Sequence, residues 1–314
     1  MPKGGGHRIM PGMTEKPGAN GGDKPIIITI SGDLGSGKSL LANALVERWQ
    51  AERYSTGVVQ RKLAEKMGIT TLELNRRAET DRSIDDQIDS VFKNLARTPT
   101  NLVVDSRMAF HFLPMSFRVK LEVPPAIAAA RVGKDTGRIG EGDYRTQAEV
   151  EAALGARKAS ERARFKAYYN ADIEDHAGYD LVINTADVPP EAVAQLVNDA
   201  VALWRRGVRV EKLWVAPRSL FPTIDPLLLD ADAVIGAAAN WPLPGGWPEN
   251  AIPVRKAGSA YVAEGGAEWI SAGIKGDKPL APVVIQDGMG MMPDSGVTER
   301  WESTHHFKHL YHPD

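Results

Sequence analysis

Residues 26–39 decide the fold of this chain, and they read IIITISGDLGSGKS. The opening run is apolar and β-branched, which predicts a strand buried on both faces, as in a parallel sheet. It continues without a break into Gly-x-x-x-x-Gly-Lys-Ser, and residues 40–46 that follow have helical spacing. A strand, a glycine loop and a helix in this order predict a P-loop, in which backbone N–H groups and a helix N-terminus surround phosphate groups.

The P-loop predicts a site for ATP or GTP with Mg²⁺. Lys38 is expected to reach the β- and γ-phosphates, and the Ser39 hydroxyl is expected to ligate the metal. A second buried strand, residues 101–105, ends in Asp105, whose carboxylate can reach the same metal directly or through water. The residues predicted to bind the nucleotide are Gly32, Asp33, Leu34, Gly35, Ser36, Gly37, Lys38, Ser39 and Leu40.

Composition excludes several classes of protein. With 43% hydrophobic and 25% charged residues, the chain is typical of globular proteins. No apolar run approaches the roughly 20 residues that span a bilayer, so we expect no membrane partner and a cytoplasmic protein, in the host cytoplasm if a phage is the source. The absence of cysteine excludes disulfides, thiolate metal sites and cysteine nucleophiles. A net charge of −2 argues against an extended DNA-binding surface.

The order of predicted elements places these motifs in a fold. Further strands are predicted at residues 117–123 and 180–184. The predicted helices cover residues 62–67, 70–78, 84–95, 126–132, 146–169 and 190–204. Alternating strands and helices predict a parallel α/β sheet covered by helices on both faces. Ligands of such sheets bind at the carboxyl ends of the strands, where residues 32–39, 55–57 and 105–107 should meet.

Composition also divides the chain. Residues 1–24 are Gly- and Pro-rich and predict a disordered tail, whereas residues 25–207 hold the α/β pattern. Pro and Trp become more frequent after residues 208–212, so residues 213–290 are predicted to form a small α+β domain. Residues 291–314 are predicted to be a tail. Its histidines at 305, 309 and 312 have metal-like spacing but no ordered acids nearby, so we expect an exposed tail.

Several short motifs occur in a specific order: SGDLGSGKS at 31–39, YSTG at 54–57 followed by Arg61, DSR at 105–107, YYNAD at 168–172 and YDLVINT at 179–185. Together they resemble the cytidylate-kinase-like branch of the nucleoside monophosphate kinases. The resemblance covers roughly residues 25–205. It implies a P-loop kinase fold in which a lid closes over ATP and arginines hold the acceptor nucleotide.

The resemblance implies transfer of the γ-phosphoryl group of ATP, with Mg²⁺, to a pyrimidine nucleotide. The residues expected to neutralise charge during transfer are Lys38, Arg107 and Arg131. The residues expected to bind the acceptor are Ser55, Thr56, Gly57, Arg61, Arg107, Arg157, Glu161 and Arg164. The metal is expected at Ser39 and Asp105.

The types and the spacing of three of these residues suit acceptor binding independently of the resemblance. Arg157, Glu161 and Arg164 share one face of the predicted helix, which presents two guanidinium forks around a carboxylate. The forks suit phosphate oxygens, and the carboxylate suits a base amine or imide N–H. The same spacing also fits a solvated helix face with ion pairs between successive turns.

Departures from the family pattern leave the acceptor open. Ser106 stands where the family has glycine, residues 110–112 are unusually aromatic, and the arginines of the lid loop at 134–145 cannot be paired with those of the family. One hypothesis is a free acceptor, CMP or dCMP. A second is the hydroxymethyl group of 5-hydroxymethyluracil in DNA, as in phages that hypermodify thymine, with the aromatic residues stacking a base. A third is an ATP-dependent switch with no small acceptor.

The C-terminal segment has a weaker pattern. Residues 252–285 predict strand, strand, Gly-Gly turn, helix and strand, which faintly resembles the ParB/sulfiredoxin-like fold over residues 213–286. The turn reads Gly265-Gly266-Ala267-Glu268, so the phosphate-binding residues of that fold are absent. We therefore expect a docking or substrate-orienting module rather than a second active site.

Overall fold

The computed structural model describes residues 25–97, 99–134, 146–241 and 251–310. The tail predicted at 1–24 and nearly all of the lid loop lie outside these ranges. Within them, no helix combines the length and the hydropathy that a membrane span requires.

Ten strands and eleven α-helices form the described part of the chain. The strands are β1 (Ile27–Gly32), β2 (Glu52–Ser55), β3 (Leu102–Asp105), β4 (Phe117–Glu122), β5 (Leu181–Asn184), β6 (Leu213–Val215), β7 (Leu220–Pro222), β8 (Ile252–Ala257), β9 (Ala260–Ala263) and β10 (Ala281–Met289). The helices are α1 (Lys38–Trp49), α2 (Thr56–Lys66), α3 (Thr71–Ala78), α4 (Arg82–Leu95), α5 (Ala109–Phe112), α6 (Pro125–Lys134), α7 (Gln147–Tyr169), α8 (Pro190–Arg205), α9 (Ala231–Ala239), α10 (Ala267–Lys275) and α11 (Ser295–Thr304).

All ten strands belong to one sheet, in the order β2-β3-β1-β4-β5-β6-β10-β8-β9-β7. The first five are parallel, with β1 between β3 and β4. Ile28 and Ile30 of β1 are fully buried, because helices cover the sheet on both sides. The register pairs Ile30 with Asp105, so the carboxyl ends of β1 and β3 lie side by side. The predicted parallel α/β fold is confirmed.

Strand β2 and helix α5 of the segment 25–207 were not predicted, for different reasons. Strand β2 lies at the edge of the sheet, and its half-exposed residues ERYS lack the apolar pattern of a buried strand. Helix α5 is a single turn whose residues are held mainly by packing of Phe110 and Phe112, which local spacing does not reveal.

Residues 213–290 extend the same sheet. Strand β6 pairs in parallel with β5, and β10 pairs antiparallel with β6, so the sheet continues across the predicted boundary at 208–212. The elements predicted for residues 252–285 are present as β8, β9, α10 and β10. A separate domain and a ParB-like origin stay predictions.

The prediction of an exposed tail was wrong for residues 291–310. Helix α11 buries Trp301 completely, and the ring of His309 stacks on Phe221 with centroids 4.2 Å apart. His309 also contacts Glu302, and the Nε2 atom of His305 lies 2.8 Å from the Ser271 hydroxyl. These side chains fill packing positions on the C-terminal part of the sheet. Among the described residues, no group of three or more potential ligands is placed to hold a metal ion.

Candidate active site

The P-loop joins the end of β1 to the start of α1. Gly32, Gly35 and Gly37 all have positive φ, at 142°, 79° and 90°. A Cβ at Gly32 would lie 2.4 Å from the backbone oxygen of Leu121, and one at Gly35 would lie 2.8 Å from that of Ala128. The loop therefore needs glycine both for its backbone conformation and for its close approach to β4 and α6.

Side chains inside the loop hold its shape. The Ser36 hydroxyl donates to the Asp33 carbonyl oxygen at 2.8 Å, and Lys38 Nζ donates to the same oxygen at 2.6 Å. Arg131, on α6, donates to the carbonyl oxygens of Gly35 at 3.2 Å and Thr185 at 2.8 Å. Burial lowers the pKa of Arg131, but the guanidinium still carries its positive charge at neutral pH. Two of the predicted catalytic cations thus lie against the loop.

A cavity opens on one side of the loop. Its volume is about 580 Å³, and its walls are residues 35–41, Arg131 and the segment from Thr185 to Val193. This space adjoins the backbone N–H groups at the start of α1, which is where a nucleotide polyphosphate is expected. The predicted residues 35–40 line it together.

Ser39 and Asp105 are neighbours at the carboxyl ends of the strands. The Ser39 hydroxyl lies 3.4 Å from Asp105 Oδ2, and Arg53 Nη2 lies 3.3 Å from the same oxygen. A hydroxyl and a carboxylate next to a phosphate site are ligands that suit Mg²⁺, which completes its shell with phosphate oxygens and water. The donor set therefore fits the implied metal. Sequence reasoning missed Arg53, because a polar residue on an edge strand has no distinguishing pattern.

Two predicted acceptor arginines converge on one buried carboxylate. Arg107 Nη1 donates to Glu161 Oε1 at 2.6 Å, and Arg157 Nε donates to the same oxygen at 3.0 Å. Glu161 is only 2% exposed. The Nε atom of Arg107 is buried and has no acceptor among the described residues. A buried donor without a partner is costly, which favours a ligand at this position.

Arg164 lies apart from that pair. Its Nε lies 3.2 Å from Asp85 Oδ2, without the alignment of a hydrogen bond, and its Nη1 donates to the Asn75 carbonyl oxygen at 3.3 Å. Arg164 and Asp85 are both buried. Burial raises the pKa of the Asp85 carboxyl, and the nearby Arg164 opposes that shift. The predicted helix face is thus divided between two carboxylates, of which Asp85 could not be identified from spacing.

The remaining predicted acceptor residues lie at the junction of β2 and α2. The Thr56 hydroxyl lies 3.5 Å from the Asp105 carbonyl oxygen, which brings residues 55–57 to the metal side of the site. Arg61 is exposed, and within the described chain it forms no hydrogen bond or ion pair. The structure therefore does not bring Arg61 into contact with the other acceptor arginines.

Lys158, which is absent from the predicted set, connects helix α7 to the P-loop. Lys158 Nζ lies 2.8 Å from Asp33 Oδ2 of the P-loop and 2.8 Å from Glu174 Oε2. It follows Arg157 directly in α7, but a lysine in a charged helix segment carries no signal of its own.

Phe110 and Phe112, which follow Arg107, pack in the core. Phe110 contacts Tyr179 at a centroid distance of 4.7 Å, and Phe112 stacks on Phe92 at 5.0 Å. Burial lowers the pKa of His111, which lies between them in sequence. Phe110 and Phe112 therefore do not form a free wall on which a base could stack.

The sequence of residues 27–187 matches the profile of the family described as cytidylate kinase-like. Cytidylate kinase from Natronomonas pharaonis is 38% identical over 181 residues, which cover 56% of this chain and 89% of the relative. Cytidylate kinase from Methanocella arvoryzae is 36% identical over 176 residues, which cover 56% of this chain and 97% of the relative. Among solved structures, shikimate kinase from Bacteroides thetaiotaomicron is similar over 57% of this chain and 99% of its own, with 15% identity and a TM-score of 0.44.

Proposed function

The chain belongs to the cytidylate kinase-like family and is an ATP-dependent kinase, and we propose that it phosphorylates a free pyrimidine nucleotide, CMP or dCMP, on its 5′-phosphate. The observation that carries this proposal is the convergence of Arg107 and Arg157 on Glu161 beside the P-loop. Two guanidinium groups and a carboxylate together match the phosphate and the exocyclic amine of a cytosine nucleotide.

The proposed roles follow from the chemistry of phosphoryl transfer. Its transition state spreads negative charge over the transferred group, so catalysis depends on positioning and charge more than on a base. Lys38 and Arg131 lie against the P-loop and would neutralise the donor phosphates, whereas Arg107 and Arg157 would hold the acceptor phosphate. Ser39 and Asp105 would hold Mg²⁺, which supplies charge neutralisation when bound.

A modified base in DNA is the less favoured acceptor. One sequence feature that suggested it was the aromatic segment 110–112, whose two phenylalanines pack against Tyr179 and Phe92. The other was the appended C-terminal segment. The named relatives are cytidylate kinases, and that supports a nucleotide acceptor. We therefore rank the free nucleotide first.

The test is transfer of the labelled γ-phosphate of ATP, offered in parallel to CMP, dCMP, UMP, dTMP and DNA that contains 5-hydroxymethyluracil. We expect label on CMP or dCMP, and none when Lys38→Ala protein prepared in the same way is used. Label on the DNA alone would overturn the proposal, and so would equal labelling of all four monophosphates. No transfer to any of them would revive the nucleotide-dependent switch.

A further inference from the structure

The hairpin of β8 and β9 closes a second cavity beside the acceptor arginines. The cavity measures about 320 Å³. Its inner walls come from the P-loop, the start of α6 and the middle of α7. Its outer wall comes from Lys256, Gly258, Ser259 and Tyr261. Because the family profile matches residues 27–187, this outer wall is an addition to the family core.

A buried carboxylate fixes the hairpin to the core. The Tyr261 hydroxyl donates to Glu122 Oε2 at 2.6 Å, and His176 Nε2 lies 2.7 Å from Glu122 Oε1. Burial alone would raise the pKa of Glu122, but His176, Lys256 and Lys120 outweigh burial and hold it well below its usual range. Glu122 therefore stays ionised and keeps its hydrogen bonds, so the outer wall of the cavity is fixed in place.

The other carboxylates at this cavity are already neutralised. Glu174 lies 3.1 Å from Lys120 Nζ and 2.8 Å from Lys158 Nζ, and Lys158 also pairs with Asp33. Glu161, which does not itself line the cavity, accepts hydrogen bonds from Arg107 and Arg157.

Lys256 is the least neutralised cation at the cavity. Its nearest carboxylate among the described residues is Glu122, at 3.9 Å, and that group is shared with His176 and Tyr261. Among the described residues that line the cavity, four are cations (Arg107, Arg157, Lys158, Lys256) and three are carboxylates (Asp33, Glu122, Glu174). A positive surplus and the unpaired Nε of Arg107 both favour a ligand that carries negative charge and accepts hydrogen bonds.

We propose that this cavity binds an anionic group of the phosphate or carboxylate class between Lys256 of the hairpin and Arg107 and Arg157 of the kinase core. The group can be the 5′-phosphate of the acceptor, in which case the inference rests on the proposed function and adds Lys256 to the ligands of that phosphate. Otherwise it belongs to a separate small molecule that binds next to the acceptor. The volume suits a small molecule, because it lies at the lower end of the range of volumes of ligand pockets in proteins. The cavity supports this proposal whichever nucleotide accepts the phosphoryl group.

The first test measures binding of inorganic phosphate to the full chain by calorimetry. The P-loop also binds phosphate, so Lys38→Ala separates the two sites and should keep the cavity site. In the Lys38→Ala background, Lys256→Met should weaken binding by about tenfold or more, and Lys256→Arg should largely restore it.

Lys275→Met, at an exposed lysine of α10, is the matched control. Loss of all binding in Lys38→Ala, or binding unchanged by Lys256→Met, would overturn the proposal. Lys256 is 43% exposed, so its variants are expected to fold.

Steady-state kinetics with the best acceptor then separate the two sources of the anionic group. If the acceptor supplies it, Lys256→Met raises the KM for that acceptor. If a separate molecule supplies it, that KM is unchanged, and added phosphate changes the rate of the wild type but not of Lys256→Met. An unchanged KM together with an unchanged phosphate response would overturn the proposal. A failure of the proposed function differs from both, because phosphate binding would persist while no pyrimidine monophosphate became labelled.

Discussion

Lys158 and Asp33 form an ion pair in which Nζ lies 2.8 Å from Oδ2, although 125 positions separate them in sequence. Burial alone would lower the pKa of Lys158, but Asp33 and Glu174 raise it above its ordinary value, so the lysine stays charged. The pair fixes α7, which carries Arg157 and Glu161, to the first half of the P-loop. Donor and acceptor sites are therefore connected by a direct contact.

Replacing Lys158 with Met should loosen the P-loop. We expect the KM for ATP to rise by roughly five- to tenfold, because a charge-assisted hydrogen bond contributes about 1.5 kcal/mol and this one is partly exposed. Initial rates at varied ATP measure the effect. Lys166→Met, at an exposed position of the same helix, is the control, and equal KM values in the two variants would contradict the assigned role.

Replacing Arg107 with Ala should remove acceptor recognition and spare ATP binding. We expect kcat/KM for the acceptor to fall by about 10²–10³, the usual loss when one preorganised donor to a developing negative charge is deleted. The affinity for ATP, measured by calorimetry, should change little. Arg162→Ala is the control, because the Arg162 side chain of α7 is 53% exposed and pairs with Asp172. Transfer rates that match between Arg107→Ala and Arg162→Ala would refute the assignment.

Two glycines of the P-loop should differ in their tolerance of alanine. Gly35 and Gly37 both have positive φ, so each substitution costs about 1–2 kcal/mol in backbone strain. Only at Gly35 would the new Cβ also collide with backbone, 2.8 Å from the Ala128 oxygen, whereas no described atom lies within 4 Å at Gly37. Calorimetry should therefore show a lower Tm for Gly35→Ala than for Gly37→Ala. Equal Tm values would show that α6 moves aside.

Asp89 should make stability depend on pH. Burial, with Asp85 and Asp86, raises its pKa to about 6 although Tyr169 donates to it, whereas the unfolded chain has an ordinary value of 3.8. The folded state thus binds the proton more tightly, and the stabilisation is complete below pH 3.8 and is lost as pH rises through about 6.

The test compares the wild type with Asp89→Asn in urea unfolding at pH 7.5 and pH 5. On lowering the pH, the free energy of unfolding of the wild type should rise relative to that of Asp89→Asn, which has no titrating group there. A constant difference between the two proteins would show that Asp89 does not titrate in this range.

Replacing Asp105 with Asn should weaken use of Mg²⁺. The amide keeps the shape of the side chain beside Ser39 but removes a negative charge that suits a divalent cation. We expect the Mg²⁺ concentration for half-maximal rate to rise by roughly tenfold or more, with the acceptor KM little changed. Asp180→Asn, whose carboxylate pairs with Arg118 at the opposite end of β5, controls for loss of charge alone. The same Mg²⁺ requirement in both variants would exclude Asp105 as a ligand.

Prediction from sequence was accurate for elements whose pattern is set by residues that are neighbours in the chain. The apolar run of β1 predicted a buried strand and residues 146–169 predicted a long helix, and the structure has both within one or two residues. The prediction failed for His305 and His309, which follow α11. His309 stacks on Phe221 of β7 and His305 lies within hydrogen-bond distance of Ser271 of α10, and both partners are distant in sequence.

By itself, the sequence determined the P-loop, the parallel sheet around it and the residue types available to hold phosphate. It could do so because glycine conformations and apolar periodicity act within a few neighbouring residues. Only the tertiary structure decided which carboxylate neutralises which cation, so that Glu161 receives Arg107 and Arg157 while Arg164 lies against Asp85. It also decided that the C-terminal strands extend the sheet and bring Lys256 to the acceptor side. These outcomes depend on distances between elements far apart in the chain, because Coulomb interactions and burial act through space rather than along the sequence.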